Sequence, residues 1–110
     1  MDASEAARRC SPPATWTGEA KSAWADSYRL AGDSLGGGAV SRYNLQRKMN
    51  EIEASIKAQP FNHGAALQHV EAAREKAARL IGARRDAAGS DLVREIAHEL
   101  GEAVETARLI

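Results

Sequence analysis

The stretch Ser41-Arg42-Tyr43-Asn44-Leu45-Gln46-Arg47-Lys48-Met49-Asn50-Glu51-Ile52-Glu53-Ala54-Ser55-Ile56 decides the fold class. Its large apolar residues Leu45, Met49, Ile52 and Ile56 recur at steps of four, three and four. A strand alternates its side chains every two residues and would scatter these four over both faces. A helix lines them up in one narrow, heptad-like seam that suits packing against one or two neighbours. Ser41 is placed to cap the start of this helix, and Pro60 stops it.

The segments on either side carry the same periodicity. Upstream, Ala20, Trp24, Tyr28 (or Ser27), Ala31 and Leu35 fall on one stripe, with Thr17 as the capping residue and Glu19 in the first turn. Gly36-Gly37-Gly38 ends that helix, since consecutive glycines favour neither helix nor strand. Downstream, Asn62 is placed to cap a segment with Leu67, Val70, Ala73, Ala77, Leu80 and Ile81 on its apolar face. A last segment opens at Ser90 and carries Val93, Ile96, Leu100, Ala103 and Ala107, flanked by Leu92, Ala97 and Val104.

These patterns predict an all-α fold, a small helical bundle of about four helices. The short Asp86-Ala87-Ala88-Gly89 link makes the last two an antiparallel hairpin. One of the pair is rich in Arg and Lys (Arg74, Lys76, Arg79, Arg84, Arg85) and the other in acid (Asp91, Glu95, Glu99, Glu102, Glu105). The charges either pair across the hairpin or form two separately solvated faces. Residues 1–15 are polar and proline-punctuated and read as a flexible tail before a bundle domain of residues 16–110.

The composition narrows the function classes. Of 110 residues 44% are hydrophobic, with alanine the largest contributor, and only 5% are aromatic, so burial relies on thin seams and a protein partner or self-association is expected. Fifteen basic and fifteen acidic side chains cancel, which removes a global electrostatic argument for nucleic acid. The single Cys10 excludes an internal disulfide, and Arg8 and Arg9 before it do not fit a lipoprotein signal. No apolar run is long enough to span a bilayer, so no membrane role is expected and the default location is cytoplasmic.

Trp16-Thr17-Gly18-Glu19-Ala20, with Ala23 and Trp24 behind it, sets a bulky ring at a helix start followed by small residues at helical spacing. As physics this is a packing device. It also resembles the Trp-x-Gly bend of the WXG (early-secreted-antigen-like) family, substrates of type VII secretion. The resemblance covers residues 16–24 and implies a helical protein exported without a cleavable signal peptide, acting with a partner. That family places a full helix before the bend, where this chain has a short tail. Its export signal, a Tyr followed four positions later by an acid, is not matched: Gly32 follows Tyr28 and Arg47 follows Tyr43 at that spacing. The partner would then supply the signal.

Ser41-Arg42-Tyr43-Asn44-Leu45-Gln46-Arg47-Lys48 resembles the recognition helix of Fis-like helix-turn-helix domains. The resemblance implies Arg42, Tyr43, Asn44 and Gln46 at base edges and Arg47, Lys48 and Lys57 at phosphates. The added Gly37-Gly38-Ala39 departs from the tight turn of that motif, and Glu51 and Glu53 dilute the basic patch. A third pattern, His98-Glu99-Leu100-Gly101-Glu102, is similar to the zinc-protease helix, with Glu102 in place of the second His and Glu99 as the candidate base. Glu95 and His98 also have the spacing of one di-iron ligand pair. No second copy accompanies them, and His63 and His69 are not tied to His98 by any spacing.

No phosphate loop or nucleophile–base set is present, so no enzyme activity, cofactor or small-molecule substrate is expected. The sequence reads as a non-catalytic interaction protein forming homo- or hetero-oligomers. Its expected interface residues are Trp16, Gly18, Trp24, Tyr28, Leu35, Leu45, Met49, Ile52 and Ile56. DNA binding through Arg42, Tyr43, Asn44, Arg47 and Lys48 is the alternative, and metal binding at His98 a lesser one.

Overall fold

A computed structural model describes residues 12–35, 39–59, 63–82 and 87–108. They form four helices: α1 (Gly18–Leu35), α2 (Ala39–Lys57), α3 (Gly64–Gly82) and α4 (Ala87–Arg108). There is no strand among the described residues, and the all-α bundle stands.

Two helices start earlier than the capping residues suggest. α2 opens at Ala39, which puts Ser41 inside its first turn, and α4 opens at Ala87, three residues before Ser90. Alanine is the strongest helix former, so Ala39, Ala87 and Ala88 extend the helices backward past the better-capping serines. Asn62 lies outside the described residues; the His63 carbonyl accepts from Leu67 N–H at 3.0 Å and opens α3. The tail is described only from Pro12, where Trp16 N–H donates to the Pro13 carbonyl at 3.2 Å in a tight turn.

The four helices run up and down, each antiparallel to the next. α4 has the most extensive contacts, with α3 on one side and α1 on the other, while α2 touches all three more lightly. Side-chain size explains the difference. The buried face of α1 is Ala20, Ala23, Ser27, Ala31 and Ser34, every one of them small. Ala66, Ala73 and Ala77 are buried on α3, and Ala97, Gly101 and Ala103 on α4. Small residues let backbones approach closely, so α1, α4 and α3 form the tight part of the bundle. α2 closes the remaining side with the seam Leu45, Met49, Ile52 and Ile56, all buried. These longer side chains hold its backbone farther out and meet Val70, Leu80, Val93, Ile96 and Leu100 in the core.

The buried stripe of α1 keeps Ala20, Ser27 and Ala31 of the expected set and adds Ala23 and Ser34, while Trp24, Tyr28 and Leu35 are half-buried shoulders. The close α1–α4 approach admits no large side chain, so the rings move to the flank. Ile81 differs too: Val70, Ala73, Ala77 and Leu80 are buried on α3 as expected, but Ile81 is 54% exposed.

Candidate interaction surface

The Trp16-Thr17-Gly18 corner folds inward. Trp16 is 7% exposed and lies over α4, its ring centroid 5.4 Å from that of His98. The notch that receives it is Gly101, where an added Cβ would overlap ring atoms Cζ3 and Cη2 of Trp16. Thr17 is tied beside it. Its N–H and its hydroxyl both donate to Glu105 Oε2, at 3.1 and 3.0 Å. The same hydroxyl accepts from Ala20 N–H at 3.3 Å, which is the N-cap bond of α1. A carboxylate thus sits at the positive end of α1, where the helix dipole favours it. His98, Gly101 and Glu105 fall on one face of α4 at steps of three and four. Gly18 itself has open space around its α-carbon.

The other expected interface residues divide between core and surface. Leu45, Met49, Ile52 and Ile56 form the chain's own core. Tyr28 and Leu35 pack against that core while remaining half-exposed. Trp24 stacks on Tyr28, with centroids 5.2 Å apart and planes 20° from parallel.

The polar residues of α2 do not form one face. Arg42 and Tyr43 are exposed toward α3, whereas Asn44, Arg47 and Lys48 border α1 together with Asp26 and Glu51. Lys48 is bound to Asp26 at 3.2 Å. The strip expected to reach nucleic acid is therefore divided between two sides of the helix, and two of its expected cations are paired, Lys48 with Asp26 and Lys57 with Glu53 at 2.7 Å.

The histidines and acids of α3 and α4 are engaged in packing. Glu99 accepts from His69 Nδ1 at 2.7 Å and from Lys76 Nζ at 3.0 Å, a clamp between α3 and α4. Burial raises the Glu99 pKa, but the hydrogen bonds and charges of His69 and Lys76 outweigh it and hold the carboxyl below its ordinary value. Glu99 is thus ionised at neutral pH and accepts only, so Nδ1 of His69 carries the proton. The other charges pair elsewhere: Arg74 reaches across to Glu53 and Asn50 on α2, Arg94 to Asp91 and Arg79 to Glu75 within their own helices. Of the two arrangements the charges allowed, pairing across the hairpin is seen at Glu99 among the described residues, while Arg84 and Arg85 lie outside them. His98 lies 3.7 Å from Glu102 and also packs on Trp16. Among the described residues no three His, Cys, Asp or Glu side chains gather around a common point.

Among the described residues, two of the grooves beside α2 are the most open to a partner's side chains. One, of about 640 Å³, lies between α1 and α2 and has a polar rim that includes Glu19, Ser22, Lys48, Glu51, Ser55 and Gln59. The other, of about 460 Å³, lies between the first half of α2 and the last turns of α3. Its floor is Leu45, Met49, Ala77 and Ala78, and Tyr43 and Ile81 stand at its edges. Val40, Tyr43 and Ile81, at 73%, 66% and 54%, are the exposed large hydrophobic residues among those described, and all belong to this end of the bundle. Tyr43 is exposed as its place at the start of α2 implied, whereas helical spacing placed Ile81 inside.

No protein-family model, curated protein or solved structure matches the chain. Among the described residues no helix is long and apolar enough to cross a membrane.

Proposed function

We propose that this chain is a non-catalytic helical interaction protein that engages another protein through the α2–α3 end of its bundle. The observation that carries the reading is that Tyr43 and Ile81, two large and exposed apolar residues, line one groove of mostly apolar surface. Scattered exposed apolar residues are ordinary on a protein surface, but a contiguous group marks a contact site. The Trp-Thr-Gly corner, the Trp24–Tyr28 stack and the α2 seam serve a different purpose, which is to hold the bundle together.

A type VII secretion-associated substrate or partner is the finer form of this proposal. Its support is the Trp16-Thr17-Gly18 motif at a helix start within a helical bundle. The test is co-expression with the helical proteins encoded beside it, followed by light scattering on the purified product. A defined complex, lost on combined Tyr43→Asp and Ile81→Asp substitution, is expected. A complex that survives both substitutions places the contact elsewhere, and a chain monomeric under every condition contradicts the interaction role.

A further inference from the structure

The chemistry of the α2–α3 groove says what kind of partner fits it, an inference that rests on the interaction role proposed above. The groove runs along α2 from Ala39 to Met49, which at about 1.5 Å per residue is roughly 15 Å, or about three helical turns. Two antiparallel helices form its walls, and its floor is apolar. A third amphipathic helix laid between two helices is the occupant such a trough accepts.

Charge decides the character of that helix. Among the described lining residues the charged groups are Arg42 and Arg74, with no carboxylate. Arg74 is already held by Glu53 and Asn50. Arg42 is exposed and makes no ion pair among the described residues. A second copy docked groove to groove about a two-fold axis would set the arginines of one face against those of the other, a like-charge contact. We infer that the groove receives an acidic amphipathic helix of a separate chain, its apolar residues lying over Met49 and Ala77 between Tyr43 and Ile81 and its carboxylates meeting Arg42.

Fluorescence anisotropy with a labelled synthetic peptide tests this. The probe is a helix of about four turns with Leu at i, i+4, i+7 and i+11 and Glu at the flanking positions, and its control carries Lys in place of Glu. The Glu peptide is expected to bind saturably and the Lys peptide about tenfold or more weakly. Arg42→Glu should reverse that order, and Tyr43→Asp should abolish binding of both. No binding of the Glu peptide, equal binding of the two peptides, or binding indifferent to Tyr43→Asp overturns the inference. Light scattering on the chain alone separates this from failure of the broader role. A wild-type dimer that Ile81→Asp converts to a monomer means a second copy fills the groove, which removes the acidic-helix inference and keeps the interaction role.

Discussion

The indole of Trp16 occupies the space that any side chain at position 101 would need. A Cβ built on Gly101 overlaps the ring, and Trp16 is 7% exposed, packed beside His98. This fit joins the N-terminal corner to the middle of α4, and Thr17 and Glu105 fasten the same junction. The corner is thereby an internal lock.

Ser27 lies fully buried on α1, and its hydroxyl has no hydrogen-bond partner among the described residues. An unsatisfied buried hydroxyl is costly, and alanine has the higher helix propensity. Ser27→Ala should stabilise the bundle by about 1 kcal/mol, read as a raised urea midpoint with unchanged slope. A lowered midpoint would show that the hydroxyl is satisfied in solution.

The core seam and the groove edge should respond in opposite ways. Ile52 is buried, so Ile52→Ala is expected to cost roughly 2–5 kcal/mol. Ile81→Asp, at an exposed site, should change stability by no more than about 0.5 kcal/mol while removing partner binding. Chemical denaturation of both variants beside a binding assay checks the contrast.

Acid should weaken the α3–α4 clamp. The Glu99 carboxyl is held below its ordinary value in the folded chain, so the unfolded chain binds its proton more readily. The stabilisation it gives is complete above the unfolded carboxylate value of about 4.3 and is lost as pH falls through the lower folded value. Urea midpoints measured from neutral pH downward should fall over that acidic window in the wild type. Glu99→Gln should lower stability at neutral pH and flatten the acid dependence, and an unchanged slope in that variant would count against the clamp.

The parts of the fold that depend on residue type and spacing were legible in the sequence. Leu45, Met49, Ile52 and Ile56 are all buried as their steps of three and four require, and the helix breaks fall near Pro60 and the glycines. The α1 stripe was legible only in part, because helical spacing left Tyr28 and Ser27 as alternatives and does not say which of two adjacent stripes a neighbour can approach. The packing takes Ser27 and brings Ala23 inward in place of Trp24. Gly101 read as part of a His-Glu string, since its role as a notch exists only once the N-terminal corner lies across it; the neighbouring Thr17–Glu105 contact joins residues 88 apart. The groove was hidden for the same reason: whether Tyr43 or Ile81 is covered depends on where α2 and α3 end relative to each other.

The internal lock is tested most directly by substituting Gly101 with and without its partner ring. With Trp16 present, Gly101→Ala forces the indole out of its notch and should destabilise the protein by about 1–3 kcal/mol. In a Trp16→Ala background the notch is empty, and the same substitution removes a glycine from the interior of a helix. There it should stabilise by up to about 1 kcal/mol. The measurement is this four-variant cycle by urea denaturation. The effect of Gly101→Ala is expected to change sign between the two backgrounds. An effect of the same sign and size in both would contradict it, placing the Trp16 ring somewhere other than over Gly101.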